Sequence, residues 1–396
     1  MTAPVPPSPD QPSLVLVINA GSSSLKYQLL DPGSGHLHAK GIVERIGEPD
    51  SGCPDHTAAL RLALEAMTHE VGQLDATLLL AVGHRVVHGG ARFSGPTLID
   101  DQVRSTIADL APLAPLHNPA NLQGIEATST LFPDVPQVAV FDTAFHATIP
   151  AAAHTYAVPA AWRTTHRVRR YGFHGTSFSY VTRRAAALLG RDLAETNLVV
   201  LHLGNGCSAC AVQGGHSLDT SMGLSPLEGL VMGTRSGDVD PSLGAYLARV
   251  AGLDEAAYDR SLNRDSGLLA LAGVSDFRAV TQRAAEGDDD AGLALDVVVH
   301  RLVKYVGGYA ALLSRVDAIV LTGGIGEHSV VLRARLADRL GLLGVDLDIE
   351  ANETGSGERA VTTPASRTPM LVVPTNEELE IARECLDVLT SSSGSM

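Results

Sequence analysis

Three short segments of this 396-residue sequence combine Gly, Ser and Asn in the manner a phosphate cradle requires. Asn19-Ala20-Gly21-Ser22-Ser23-Ser24-Leu25-Lys26 sets a Gly, three Ser and a Lys on one tight turn, and Gly204-Asn205-Gly206-Cys207-Ser208 and Thr322-Gly323-Gly324-Ile325-Gly326-Glu327 repeat the theme. Backbone N–H groups and hydroxyls on such turns can surround anionic oxygens, and a lysine adds positive charge. One such turn alone is also what a plain hairpin tip looks like; three in one chain point to phosphate. None reads GxxxxGK followed by Ser or Thr at a helix entrance, so a Walker A loop is excluded.

Other donors cluster between these turns. His84-Arg85-Val86-Val87-His88-Gly89-Gly90 is dense in them, and His117-Asn118-Pro119 follows. Asp142 comes directly after the strand-like run 137–141, where an open α/β sheet presents its ligand-facing side chains. A carboxylate there suits a magnesium ion held through water. Arg235, in Met232-Gly233-Thr234-Arg235-Ser236-Gly237-Asp238, is flanked by small residues and can reach a ligand; a surface arginine paired with Asp238 or Asp240 is the other reading.

The elements that must carry these residues alternate. Apolar β-rich runs at 14–18, 197–203 and 318–321 each close on one of the Gly/Ser/Asn turns, and a further short strand at 25–30 completes a hairpin with the first. Recurrence of that kind suggests an internally duplicated architecture. Helical patterns cover 178–189, 242–250 and 377–389, and the run 296–313 is apolar on most faces and so is expected to be deeply buried. The class is α/β, with helices packed on sheets. A Pro- and Ala-rich interruption near 145–160 marks the divide between domains. Residues 1–13 are Pro-rich and read as a disordered lead-in, not a signal peptide.

Composition narrows the function. A formal net charge of −15 opposes general binding to nucleic acid or acidic membranes. No apolar run approaches the ~18 residues of a membrane span. Four cysteines (Cys53, Cys207, Cys210, Cys385) include one CxxC pair without a second or a nearby His pair, so buried thiols in a reducing cytoplasm are expected.

Taken together, the segments VINAGSSSLKYQL (17–29), GHRVVHGG (83–90), PLHNPAN (115–121), FDTAFH (141–146), YGFHGTS (171–177), HLGNGCS (202–208), MGLSPLEGLVMGTRSGDVDP (222–241), GGIGEHS (323–329) and PTNEELEIARE (374–384) resemble the acetate kinase family. That family lies in the acetate and sugar kinase, heat-shock ATPase and actin superfamily, and the resemblance runs from residue 14 to about 389. It implies a duplicated actin-like ATPase (ribonuclease H-like) fold with an interdomain cleft. The first domain would take residues 14–148 plus 379–396, the second, for nucleotide binding and dimerisation, 149–378. It also implies a cytoplasmic homodimer that uses ATP/ADP and Mg2+, with Mn2+ as a substitute. The implied reaction is reversible, direct in-line transfer of the γ-phosphoryl group to acetate, giving acetyl phosphate and ADP.

Position by position, the resemblance makes Arg85, Asp142, His174 and Arg235 catalytic, with His174 and Arg235 stabilising the transition state and His117 a further active-site histidine. Asn19, Ser22, Ser24 and Lys26 form the first phosphate turn, and His202, Leu203, Gly204, Asn205 and Gly206 the second. Asp276, Phe277 and Arg278, with Gly324, Ile325 and Gly326, correspond to adenosine-binding elements. Arg85, Val87, Leu116, Phe173 and Pro226 would bind the acceptor, the last four as a methyl-sized apolar pocket. Asn19 and Glu377 would support the metal, together with Asp142. Phe178, Cys207 and His328 depart from the family pattern. A propionate or butyrate kinase of the same family is the nearest alternative, against which Val87 argues by crowding the pocket. A non-kinase actin-like scaffold would have no use for two arginines beside such a pocket.

Overall fold

Each half of the chain builds one six-stranded sheet, and the two sheets share one topology. The computed structural model describes residues 14–72 and 76–393; the lead-in expected over 1–13 lies outside the described residues. In the first sheet β1 (Leu14–Ala20), β2 (Ser24–Leu30), β3 (Leu37–Glu44), β4 (Leu79–Val86), β5 (Thr97–Leu98) and β6 (Gln137–Phe141) stand in the order β3-β2-β1-β4-β6-β5. In the second, β7 (Asn197–Leu203), β8 (Cys207–Gln213), β9 (His216–Thr220), β10 (Ala318–Thr322), β11 (Arg359–Ala360) and β12 (Met370–Val372) stand in the order β9-β8-β7-β10-β12-β11. The senses match too. An antiparallel meander (β1-β2-β3, β7-β8-β9) is joined through its first strand to two parallel strands, with a short antiparallel strand at the far edge.

Two compact units contain these sheets: one runs up to Phe145 and resumes at Asn376, the other spans His146–Thr375. In the first unit β1 is buried on both faces, which is why it reads as a continuous apolar run. Leu16, Ile18 and Ala20 pack with Leu60, Ala63 and Met67 of the helix His56–Val71. Val15 and Val17 point the other way, against Ile381, Ala382 and Cys385 of the helix Glu377–Ser393. Gly83 admits that last helix, since a Cβ there would lie 2.7 Å from Ile381 and 2.8 Å from Cys385. This close seat fixes the helix N-terminus, where Glu377 stands.

Two expectations need correction. The helix expected over 296–313 begins at Asp289, because Asp288 caps it through the Ala291 N–H, and only one stripe (Ala291, Ala294, Leu295, Val298, Val299, Leu302, Val306, Tyr309) is buried. Leu293 and Leu312 are more than half exposed, so the helix is not buried on most faces. The third Gly-rich segment is not a turn: β10 runs straight into the helix Gly323–His328. Gly323 allows this with φ 75° and a Cβ position only 2.8 Å from the Leu203 carbonyl oxygen, a place open to glycine alone.

Candidate active site

In the first unit the site grows from the ends of β1, β2 and β4. The β1–β2 turn is closed by the Gly21 N–H donating to the Ser24 carbonyl at 2.7 Å, and His56 Nε2 donates to the Gly21 carbonyl at 2.8 Å. Beside it Arg85 leaves β4 and grips Asp142, Nε to Oδ1 at 2.9 Å and Nη2 to Oδ2 at 2.7 Å. The Asp142 side chain is nearly inaccessible and that of Arg85 retains 22% exposure, so the carboxylate fixes the guanidinium while one edge of it stays open. Asn19, Ser24, Lys26, Arg85, Val87 and His117 line one recess of about 200 Å³ together with Asn121. Ser22 does not join them; it lines a neighbouring recess with Asp55, His56 and Gln123.

Glu377 belongs to the same surroundings. Burial first, then the charges of Asp142 and Glu378, push its carboxyl above the usual carboxylate range, against the pull of Arg85 and Lys26. The charge of Asp142 holds Arg85 above its ordinary value despite burial, so it is cationic throughout the physiological range. Among the described residues no group of three or more His, Cys, Asp or Glu side chains is placed to hold a metal alone. Asn19, Asp142 and Glu377 nevertheless fit a hard divalent cation, because such ions take oxygen donors, keep several waters and draw other ligands from phosphates.

In the second unit the site gathers round Gly206, on the β7–β8 turn. A Cβ at Gly206 would lie 3.1 Å from Arg235 Nη2 and 3.5 Å from His174 Nε2, so both side chains face this glycine. His174 takes a left-handed conformation (φ 58°) at the entrance to the helix Gly175–Leu188. Its ring stacks on that of His202 at 4.3 Å, and its Nδ1 meets Ser208 Oγ at 2.8 Å. His202 Nδ1 meets Ser177 Oγ at 2.8 Å, and Ser177 meets Thr375 at 2.8 Å. Leu203 is buried, Gly204 N–H donates to the Gly206 carbonyl, and Asn205 accepts from the Gly233 N–H.

Arg235 does not pair with Asp238 or Asp240. Its Nη1 donates to the Pro226 carbonyl at 2.6 Å, while Asp238 is taken by Arg301 and Tyr305. Burial therefore lowers the Arg235 pKa without a carboxylate to offset it, leaving a cation short of anionic company. The loop carrying it is anchored from below by Arg170, which donates to Glu228 at 2.6 Å and to the carbonyls of Thr220, Ser221 and Met222; Tyr156 donates to the same Glu228.

The family profile described as the Acetokinase family matches residues 14–383. The chain is 54% identical to a protein of Leifsonia xyli named acetate kinase, over 96% of this chain and all of that one. It is 51% identical to an acetate kinase of Streptomyces griseus, over 94% of this chain and 96% of the relative. This chain belongs to the acetokinase family. Among solved structures, Porphyromonas gingivalis acetate kinase superposes with a TM-score of 0.90 at 40% identity, covering 95% of this chain and 100% of the other. A propionate kinase from Francisella tularensis gives 0.88 at 40%, covering 94% and 98%. The two sheets are thus those of the two-domain actin-like ATPase fold.

For this acetokinase-family chain, the structure brings some of the expected residues together and separates others. Asn19, Ser24, Lys26, Arg85, Val87 and His117 share one recess, and His174, His202, Gly206 and Arg235 surround one turn. Leu116 (64% exposed) and Val87 belong to the first unit, buried Phe173 and half-buried Pro226 to the second. Phe277 and Ile325 line a narrow apolar crevice with Leu203, Gly204, Cys207 and Met232, whereas Asp276 and Arg278 stay on the surface, paired with each other at 2.9 Å. Arg278 and two backbone N–H groups hold the Asp276 carboxyl down to about 2. Gly324 is exposed, Gly326 buried.

The departures find ordinary places. Phe178 is fully buried and meets the His146 ring edge-on at 5.4 Å. The Cys207 thiol donates to the Gly204 carbonyl at 3.2 Å and is pushed up to about 12 by burial, so it stays protonated. All four cysteines are free and buried. His328 ends its short helix in an exposed position. Sequence reasoning did not single out Asn121, Ser177 or Thr375. All three lay in plain view within the quoted motifs PLHNPAN, YGFHGTS and PTNEELEIARE, but only their hydrogen bonds reveal what they do.

Proposed function

We propose that this chain is an acetate kinase, transferring the γ-phosphoryl group of ATP to acetate in a direct, in-line and reversible step. The observation that carries the reading is the first-unit recess, where two cations, Lys26 and Arg85, stand beside a Gly/Ser turn and two small apolar side chains, Ala20 and Val87. Acetate has a pKa of roughly 4–5 and arrives ionised. The acceptor therefore needs no general base; it needs its charge screened so that one anion can approach another.

Arg85, held rigid by Asp142, orients the acceptor carboxylate, and Val87 limits the room for its alkyl end. Arg235 and His174, beside Gly206, act on the phosphoryl oxygens as negative charge redistributes. The turns at 21–24 and 204–206 receive nucleotide phosphates, and Phe277 and Ile325 the adenine face. A magnesium ion held by Asn19, Asp142 and Glu377 through water would neutralise phosphate charge when bound. The chain acts in the cytoplasm as a homodimer through its second unit; no described helix is long and apolar enough to cross a membrane.

A propionate kinase matches this structure as closely in identity as an acetate kinase does, so acyl length is the point to test. The assay is hydroxylamine trapping of acyl phosphate with ATP and magnesium over acetate, propionate and butyrate. One methylene in an apolar pocket is worth about 1–3 kcal/mol, so kcat/KM should fall about 10- to 200-fold from acetate to propionate. A higher kcat/KM for propionate would overturn the assignment to acetate, and hydrolysis without hydroxamate would overturn the kinase reading.

A further inference from the structure

Asn121 lies one turn into the helix Asn118–Leu131, only 3% exposed, and its side-chain amide makes two bonds to strand ends far apart in sequence. Its Oδ1 accepts from the Val87 N–H at 3.1 Å and its Nδ2 donates to the Ala20 carbonyl at 2.8 Å. Both partners are backbone groups of fixed polarity, so the amide can sit in one orientation only, and neither Asp nor Leu could make both bonds. Neighbouring Asn118 makes a different contact: its Oδ1 and Nδ2 both serve His88, clamping the end of β4 by itself. Asn121 instead ties the residue that follows β4 to the last residue of β1, where the phosphate turn begins.

The approach is built into the helix. Gly124, one turn on, faces Ala20, where an added Cβ would stand 2.7 Å from the Ala20 Cβ. Without that gap the helix could not come near enough for Asn121 to reach the Ala20 carbonyl. The same recess is lined by Asn121, Ala20, Val87, Arg85 and Lys26.

We propose that Asn121 is a positioning residue that sets the spacing between the acceptor-facing Val87 and the Gly21–Ser24 phosphate turn, and so governs both turnover and acyl-chain selectivity. This rests on the acetate kinase reading above. The two bonds have separable consequences. The bond to Ala20 locates the phosphate turn; the bond to Val87 locates the wall against the acceptor's alkyl end.

The test uses the full-length enzyme and the hydroxamate assay, comparing wild type with Asn121→Asp and Asn121→Ala and recording kcat, KM for ATP, the acetate-to-propionate ratio of kcat/KM, and melting temperature. Asn121→Asp keeps an acceptor for Val87 and loses the donor to Ala20. It should lower kcat about tenfold or more and raise KM for ATP, the size expected for one buried bond left unmade, with the acyl ratio near that of wild type. Asn121→Ala removes both bonds and should also erode the acyl ratio by about fivefold, roughly one weak contact's worth. A residue that merely stabilises the unit would lower the melting temperature in both variants while leaving KM and the acyl ratio unchanged, and that result overturns the proposal. If Asn121→Ala yields no folded protein, unchanged kcat and KM in Asn121→Asp overturn it alone. Wild type that forms no acyl hydroxamate sinks the kinase reading; wild type that forms it beside variants indistinguishable from it sinks only the role of Asn121.

Discussion

The two halves of this chain have the same sheet and opposite chemistry. Counting along the ladders from the paired turns, Asn19, Lys26, Arg85 and Asp142 of the first sheet correspond to His202, Ser208, Thr322 and Thr375 of the second. Three of the first set are ionic, and two of those are locked in a bidentate pair. The second set is hydroxyls and an imidazole: Thr375 meets Ser177 and Ser177 meets His202, Ser208 meets His174, whose ring stacks on His202, and the Thr322 hydroxyl makes none of these bonds. The second half gets its cation from elsewhere: Arg235 rides on the long segment between β9 and β10 and is held by a carbonyl instead of a carboxylate. A duplicated fold thus reproduces positions, while the side chains at those positions decide that one half grips an anion rigidly and the other offers an unpaired cation.

Because Arg85 holds the acceptor and Arg235 the transferring phosphoryl group in one in-line step, their loss should be comparable despite their different supports. Arg85→Ala and Arg235→Ala should each lower kcat on the order of 10³–10⁵-fold, as for arginines that stabilise phosphoryl transfer elsewhere, with ATP binding by calorimetry largely kept. Near wild-type turnover in either purified variant would break the symmetry of roles.

Each half also buries a histidine whose pKa burial holds down, which allows a comparison of stability. In the first, His84 Nε2 donates to Gln137 Oε1 at 2.8 Å, and burial holds its pKa down to about 4. In the second, His146 Nε2 donates to the Phe173 carbonyl at 2.9 Å while Nδ1 accepts from Ser217, and burial again holds the pKa at about 4. The unfolded chain titrates such a group near 6.5, so between the two values the unfolded state binds more protons. The stabilisation is complete above about pH 6.5 and is lost as pH falls through about 4, by on the order of 3 kcal/mol per histidine. Denaturant melts across that window should show the loss, and His84→Gln should shallow the slope for the first unit; a flat profile from pH 7 to 4.5 would contradict it.

The smallest effects should separate the ionic set from the neutral one. Asp142→Asn removes a charged partner from Arg85 and should cost about 1.5–3 kcal/mol of transition-state stabilisation, whereas Thr375→Ala removes one neutral hydrogen bond and should cost about 0.5–1.5 kcal/mol. Equal losses in kcat/KM from the two would mean that the Thr375 hydrogen bond in the second half matters as much as the ion pair in the first.

Much of this was legible in the residues alone. The three apolar runs became β1, β7 and β10, because a strand buried on both faces must be continuously apolar; the first two close on Gly/Ser/Asn turns, while the third runs into a helix. The helix at 289–312 was misplaced at its start because its first turn is acidic and belongs to an Asp288 cap, not to an apolar stripe. Asp142 stood out by following a strand-like run and Arg235 by its small neighbours, whereas the family motifs supplied His174 and, with Arg85 included, the catalytic roles of all four.

By itself the sequence determined the strand cores, the Gly-rich turns after β1 and β7 and the family, since these depend on residue type at local spacing. Only tertiary structure decided which partner each functional group takes: Arg85 with Asp142 across 57 positions of chain, Arg235 with a carbonyl instead of Asp238, Asn121 between Val87 and Ala20. Such choices depend on which strand ends and helix starts the fold brings within about 3 Å, the reach of a hydrogen bond, and that distance is set by packing at places such as Gly83 and Gly124, where the absence of one methyl group lets a helix settle against a sheet.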